Sequence, residues 1–323
     1  MRNPSTIFTT ALFIITALLP ASAKAQDLTF FSGGLRAEHE HSSSYAWQVS
    51  YQQPLWKMFD WSFSWVNEGH APDHHRDGQV FQLWARADLS DRFSLMAGAG
   101  PYRYFDTESA RRGKSYKDTH GWGQIYSAGA LWRFSPRWLA QARFNHIHAQ
   151  DKEKTDSIQL GIGCALDPAS PSDKEENYSD KQQEITVFYG KTVLNSLNSQ
   201  NSYAYSVEFR QSPFRYMDWT LGWLNEGDPE QIRRNGVTLQ IWPKRDFFNG
   251  RLSLGVGFGG YLVFSRNYKT KNVSDNVDLA GLVTMTASFR ITPSWAVRGS
   301  WMRTVTDFNR DTDIMIGGLG YRF

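Results

Sequence analysis

The chain has 323 residues, with 35 Lys or Arg and 32 Asp or Glu, so its charges nearly balance. This balance excludes a broad basic surface for nucleic acid. The one cysteine, Cys164, excludes a disulfide within the chain. We expect its side chain to be a small apolar group that is buried or faces lipid.

Residues 1–25 are predicted to form a cleavable signal peptide. Arg2 gives a positive start, an apolar run follows at 7–19, and small residues lie near 21–25. The apolar run is shorter than a spanning helix requires, although a short membrane anchor is the alternative. We expect an exported protein that begins near Gln26 and keeps 33 basic and 32 acidic residues.

The rest of the chain is polar on average but rich in aromatic residues. Its mean hydropathy is −0.51. Aromatic residues make up 15% of the chain and include 13 Trp. Strands that alternate lipid-facing and inward-facing residues, with aromatic girdles at both interfaces, combine these properties. The composition therefore predicts an all-β protein, a transmembrane antiparallel β-barrel of the bacterial outer membrane.

Period-two patterns predict sixteen strands in chain order. In the third, Trp61 and Trp65 share one face, and Ser62 and Ser64 share the other. The predicted strands are 28–38, 44–54, 59–67, 78–88, 91–105, 121–133, 137–147, 155–166, 184–194, 202–211, 216–225, 235–244, 250–265, 278–290, 294–304 and 312–323. Short connections alternate with longer ones, which indicates periplasmic turns and longer surface loops.

The two halves of the chain repeat each other. "FDWSFSWVNEG" at 59–69 returns 158 positions later as "MDWTLGWLNEG" at 217–227. We therefore predict two eight-stranded repeats, residues 26–166 and 183–323, joined by a linker or periplasmic loop at 167–182. One sixteen-stranded barrel is favoured over two barrels of eight, because a single closure joins every strand. Inward glycines argue for two small barrels, whose cores need small residues beside large ones: Gly98, Gly100, Gly255, Gly257 and Gly259.

Histidines indicate a rim that differs between the halves. All eight lie in the first half, and "HAPDHHRDG" at 70–78 holds three of them. Histidine can bind transition metals or move protons, but no standard metal-ligand spacing is present, so we expect no metal and no other cofactor. The predicted rim ligands are Glu68, His70, His74, His75, Asp77, Arg111, Arg112 and Glu226. Arg111 and Arg112 would bind lipopolysaccharide phosphates or belong to an ordinary mobile loop.

Repeated polar residues have structural interpretations as well. Asn67-Glu68-Gly69 and Asn225-Glu226-Gly227 would either grip a ligand or form turns, and we favour turns. Residues with inward parity would form hydrogen-bonded layers, or else a solute-selective constriction. The predicted lumen residues are Gln82, Trp84, Arg86, Arg143, Gln240, Trp242 and Lys244.

The stretch "ARFNHIHAQDKEKTDSIQLGIG" at 142–163 resembles the end of PagL-type lipid A deacylases, which are eight-stranded outer-membrane esterases. The resemblance implies that His146 matches the family histidine. His148 occupies the family's serine position, and the family's glutamate falls near Gln159. The second half has Arg303, Val305 and Ile316 at these places. A serine esterase needs its nucleophile, base and orienting acid together, so the resemblance supports the fold and argues against that activity.

Three functions follow as hypotheses. The favoured one is a non-enzymatic barrel that binds or passes a polar envelope component, a glycan or lipopolysaccharide, at its extracellular rim. A lipid A acyl hydrolase is the main alternative, with His146 and with His148, Asp156 or Ser157 in unconventional roles, and a passive diffusion channel is the third. The C-terminal Phe323 resembles the strand signal that the barrel-assembly machinery recognises. Outer-membrane lipid, lipopolysaccharide and this machinery are the predicted partners.

Overall fold

In the part of the chain that the structure describes, sixteen antiparallel strands form two closed barrels, one in each half. The computed structural model describes residues 26–38, 42–71, 74–109, 116–150, 152, 154–166, 182–196, 199–248, 250–267, 274–307 and 310–323. The predicted signal peptide and residues 167–181 of the predicted linker therefore lie outside the described residues. Among the residues described, no helix has the length and apolar character needed to cross a membrane.

The first barrel closes through the pairing of its first and last strands. Its strands are β1 (Asp27–Ala37), β2 (Ser43–Trp56), β3 (Phe59–Ala71), β4 (His74–Asp88), β5 (Phe93–Ser109), β6 (Tyr116–Arg133), β7 (Trp138–Ala149) and β8 (Thr155–Ala165). β1 pairs with β8 from Asp27 opposite Ala165 to Ala37 opposite Thr155. The ring therefore has no free edge, and the strands satisfy one another's backbone groups.

The second barrel closes in the same way. Its strands are β9 (Gln183–Leu194), β10 (Asn201–Phe214), β11 (Met217–Gly227), β12 (Ile232–Phe247), β13 (Leu252–Asn267), β14 (Ser274–Arg290), β15 (Trp295–Val305) and β16 (Thr312–Arg322). β9 pairs with β16 from Glu184 opposite Arg322 to Leu194 opposite Thr312. A short 3-10 helix, Pro229–Gln231, connects β11 and β12.

The prediction of one sixteen-stranded barrel is wrong, because each half closes on itself. The physical reason lies in how the small rings are filled. A Cβ added to Gly98 would lie 2.5 Å from the Trp84 ring, and one added to Gly257 would lie 2.8 Å from the Trp242 ring. Glycine on one strand thus leaves room for an indole from the next, which lets eight strands enclose a packed interior.

Each barrel turns an apolar face outward. On β8, Ile158, Leu160 and Ile162 are exposed, Leu160 by 70%. Ser157 and Gln159 alternate with them and are buried inside. Alternation of this kind is what a strand between an apolar exterior and a polar interior requires.

Each barrel has a loop end and a turn end. The loop end of the first barrel is where β1 meets β2, β3 meets β4, β5 meets β6 and β7 meets β8; in the second barrel the corresponding strands are eight numbers higher. The opposite end is the turn end. Predicted strand bounds differ most at the loop end, where β3 continues to Ala71 and β4 already begins at His74.

The repeated Asn-Glu-Gly motif is a β-bulge and not a terminal turn. Gly69 has a φ of 69°, and Asn67 Oδ1 accepts a 2.9 Å hydrogen bond from its N–H. Gly227 has a φ of 73°, and Asn225 Oδ1 accepts the equivalent bond at 2.8 Å. The pairing register shifts at both places. β3 continues past its motif to Ala71, whereas β11 ends with its motif at Gly227.

Candidate functional site

Buried charges lie at the loop end inside the first barrel. The Glu68 carboxylate accepts 2.7 Å hydrogen bonds from Arg76 Nε, Arg76 Nη2 and the Tyr102 hydroxyl. The Thr155 hydroxyl also donates to it. These four side chains come from β3, β4, β5 and β8, so the cluster joins strands that are far apart in sequence.

The second barrel repeats the arrangement with the equivalent residues. Glu226 Oε1 lies 3.3 Å from Arg234 Nε, and the Thr312 hydroxyl donates a 2.5 Å hydrogen bond to Glu226 Oε2. Tyr261 is fully buried beside them. Glu68 and Glu226 were predicted as rim ligands, but both carboxylates are buried interior groups held by Arg. Alternation along the strands explains this, because Glu68 continues the inward row of Ser62 and Ser64, and Glu226 continues that of Thr220. Sequence reasoning did not identify this network, although Arg76 and Arg234 recur 158 positions apart.

Polar layers fill the interior of each barrel below these clusters. Trp84 Nε1 donates to Ser62, and Trp242 Nε1 donates to Thr220, both at 2.8 Å. Gln82 donates to Ser127 at 2.9 Å and Gln240 to Thr284 at 2.8 Å. The structure thus places the predicted lumen residues of both repeats in matching layers.

Charged lumen residues are held by partners of two kinds. Arg86 lies 3.0 Å from Asp60, and Lys244 lies 3.1 Å from Asp218, each near the turn end of its barrel. The Arg143 guanidinium lies between two rings, 4.3 Å from the centroid of Phe31 and 4.6 Å from that of Trp84. Arg143 also donates a 3.0 Å hydrogen bond to Gln141. The interior therefore consists of interlocked side chains.

The histidines at the β3–β4 connection stack on each other. The rings of His70 and His75 are 4.4 Å apart between centroids and nearly parallel. The Tyr45 hydroxyl lies 2.9 Å from His70 Nδ1, and Asn67 Nδ2 lies 3.0 Å from His75 Nε2. His70 is exposed at the rim, whereas the predicted rim residue Asp77, which pairs with Asn67 across β3 and β4, is only 1% exposed.

Arg111 and Arg112, which were predicted at the rim, lie outside the described residues, and so does the side chain of His74.

Lys152, on the β7–β8 connection, lies 3.2 Å from Asp106 and 2.9 Å from the Thr119 hydroxyl, and it contacts Glu108. Burial lowers the pKa of Lys152, but the hydrogen bond to Glu108 and the charge of Asp106 outweigh it and raise the pKa above its usual value.

His146 and His148 lie on the outer face of the first barrel. They alternate on β7 with Asn145 and Ile147, which are buried inside. His146 faces Asp156 across the β7–β8 pair, and His146 Nδ1 lies 2.8 Å from Asp156 Oδ1. The acidic partner of His146 is therefore Asp156.

Gln159 and Ser157 cannot join this outer-face pair. Gln159 pairs with Arg143, and its side chain is buried in the lumen, as is that of Ser157. The resemblance places the family's glutamate near Gln159. The odd spacing between Asp156 and Gln159 along β8 puts the Gln159 side chain on the inner face, away from His146. In the second barrel Arg303 and Asp313 occupy the equivalent outer positions, 2.6 Å apart.

Comparison with known proteins shows no family. No protein-family model matches the chain. No curated protein matches it either.

Solved barrel structures resemble parts of the chain. The N-terminal β-barrel domain of Pseudomonas aeruginosa OprF is 14% identical, with 43% of this chain and 96% of that chain covered and a TM-score of 0.34. Neisserial surface protein A is 10% identical, with 45% and 99% covered and a TM-score of 0.39. Ail, the attachment invasion locus protein of Yersinia pestis, is 12% identical, with 44% and 99% covered and a TM-score of 0.32. At these identities and scores the likenesses carry no argument about what the chain binds.

Proposed function

We propose that the chain is an integral protein of the bacterial outer membrane that binds a polar envelope component at the loop end of its first barrel. A glycan or lipopolysaccharide is the expected ligand class. The observation that carries the proposal is that packed side chains fill the interior while apolar side chains cover the exterior. A barrel built in this way offers its exterior and its rim for function, and not a water-filled passage.

The rim of the first half supports the location of the binding site. His70, His75 and the basic residues Arg111 and Arg112 belong to this half, and all histidines of the chain do. Guanidinium groups bind phosphates through charged hydrogen bonds, and imidazoles add donors for phosphate or sugar oxygens. The cleavable signal peptide and the C-terminal strand signal at Phe323 belong to the same proposal, since an outer-membrane barrel must be exported and assembled.

Binding is tested with the purified full chain in detergent or nanodiscs. We expect lipopolysaccharide to bind, and Arg111→Ala with Arg112→Ala to weaken binding by about tenfold or more, since each charged hydrogen bond contributes about 1.5–3 kcal/mol. Lys191→Ala, in the second half, is the matched control. Equal affinity in the rim variant and the unmodified chain would contradict the proposal.

Planar bilayers test the filled interior. We expect no steady single-channel current from the reconstituted chain, because Arg76, Arg143 and Trp84 are fully buried in the first lumen. A stable ohmic conductance would instead establish the diffusion channel, and it would refute a rim-only function.

A lipid A acyl hydrolase is a second candidate, and the His146–Asp156 pair favours it. A carboxylate at 2.8 Å from an imidazole orients a base in many hydrolases, and this pair faces outward, where lipid would lie. If the resemblance to the PagL-type family holds, His148 occupies the position of that family's serine. Mass spectrometry of lipid A, from cells with the unmodified chain and with His146→Ala, tests the idea. Loss of one acyl chain that requires His146 would establish it, and identical lipid A in both strains would reject it.

A further inference from the structure

Three potential metal ligands meet on the outer face of the first barrel. His146 and Asp156 face each other on β7 and β8. Glu38 follows β1, and its N–H donates a 3.1 Å hydrogen bond to the Lys154 carbonyl, which ties it to the start of β8. Closure of the ring through β1 and β8 thus brings together residues that are 118 positions apart at the most.

Distances within this cluster suit a transition-metal dication. One ligand atom from each of Glu38, His146 and Asp156 lies within 4.8 Å of the other two. In a tetrahedral site with bonds of about 2.0 Å, ligand atoms are separated by about 3.3 Å, so modest side-chain rotations are sufficient. One imidazole nitrogen with two carboxylate oxygens is a donor set that Zn²⁺ accepts, with the remaining position left for water.

The equivalent aspartate of the second barrel, Asp313, has a guanidinium as its partner. Arg303 replaces His146, and its guanidinium lies 2.6 Å from Asp313. Asn195 stands where Glu38 stands in the first repeat. The second barrel therefore supplies a guanidinium, whereas the first supplies a second carboxylate and an imidazole.

We propose that Glu38, His146 and Asp156 bind one zinc ion on the outer face of the first barrel, near the loop end. The proposal concerns metal binding alone and holds whether or not the chain hydrolyses lipid. Arg36 is the charge that opposes it, since Arg36 lies opposite Asp156 across the β1–β8 pair. Two carboxylates offset the two charges of the ion, and Arg36 lowers its affinity.

The experiment measures zinc binding to the full chain, purified in detergent without a histidine tag and treated with a chelator. Zn²⁺ is then titrated by calorimetry and by competition with a chromophoric chelator. We expect one high-affinity ion per chain. His146→Ala, Asp156→Asn and Glu38→Gln should each weaken binding by about 100-fold, at or above the 10–100-fold effect of losing a second-shell partner.

Controls separate this site from the other histidines of the chain. His120→Ala removes another outward-facing histidine, and Asp313→Asn removes the equivalent aspartate of the second barrel. Both should keep the affinity of the unmodified chain. Arg36→Gln should tighten zinc binding because it removes the opposing charge, and this result does not depend on ligand variants that fold poorly. Absence of stoichiometric zinc would overturn the proposal, and so would ligand variants that all bind zinc as tightly as the unmodified chain.

Discussion

Glu68 and Glu226 are charged residues that lie in the interior of the first and second barrels, respectively. Each carboxylate is buried beside an Arg eight residues further along the chain, Arg76 in the first barrel and Arg234 in the second. A buried ion pair adds little net stability over apolar packing, but removing one partner leaves the other charge unpaired. The repetition of the pair therefore indicates a shared requirement of the fold rather than a ligand site in one half.

Glu68→Gln should lower the free energy of unfolding by about 3 kcal/mol, because Arg76 then keeps its charge inside the barrel without a counter-ion. Urea unfolding in lipid vesicles, followed by tryptophan fluorescence, measures the loss. Asp88→Asn, at a half-exposed carboxylate near the turn end, is the control and should change little. A double variant, Glu68→Gln with Arg76→Met, should lose less than the single variant. A larger loss in the double variant would contradict the explanation.

Gly98→Val should destabilise the first barrel by about 1–3 kcal/mol, since even a Cβ at this position lies 2.5 Å from the Trp84 ring. The same urea titration measures the effect. Gly34→Ala is the matched control, because a Cβ there has no atom within 4 Å. Equal stability of Gly98→Val and the unmodified chain would show that the ring is wide enough for both side chains.

Alternation along a strand predicts from the sequence which face each side chain occupies. It places both His146 and Asp156 on the outer face. Phe144 and His146 share a face of β7, and Ile158 shares its face of β8 with Asp156. The same alternation places Gln159 on the inner face of β8, which excludes it as the partner of His146. Local similarity to a family did not reveal this. Glu38 could not be found in this way, because its position depends on the β1–β8 pairing.

The outward faces of the strands are apolar, as a membrane barrel requires, and β8 shows this most clearly. Its outward row of Ile158, Leu160 and Ile162 has no covering element in the described structure, which would be unfavourable in water. The period-two pattern predicted all sixteen strands. It did not predict how far β3 and β4 extend, because the bulge at Gly69 keeps them paired through residues that have the composition of a loop.

Leu160→Arg should destabilise the barrel in a bilayer by about 2–4 kcal/mol, as a charge near the midplane of a lipid-facing strand does. Unfolding in vesicles measures the change. Leu160→Ala is the control and should cost clearly less, since it brings no charge into the hydrocarbon. Arg and Ala variants of equal stability would mean that this row does not face lipid.

Whole-molecule closure was the part of the fold that local patterns could not decide. Every strand is compatible with either a ring of sixteen or two rings of eight, since its own alternation is the same in both. The outcome depends on whether β1 finds β8 or β16, a pairing across more than a hundred residues. Glycines placed opposite Trp84 and Trp242 favour the smaller ring, and they were visible in the sequence.

Residues 26–166 and 183–323 should each fold when expressed alone and refolded into detergent, because every strand of each barrel pairs within its own half. Heat-modifiable migration in electrophoresis, together with β-type circular dichroism, tests this. Cleavage at a protease site inserted at 167–181 should leave both halves folded. Unfolding of either half after cleavage would contradict the prediction.

Self-sufficient rings have a consequence for how such a chain changes over generations. Once a duplicated unit completes its own hydrogen bonding, a substitution in one copy does not disturb assembly of the other. The two repeats can then diverge. The first has histidines on its outer face and rim, whereas the second has Arg303 at the position equivalent to His146. Closure of each ring on itself thus lets the two repeats diverge in sequence while both keep the same barrel.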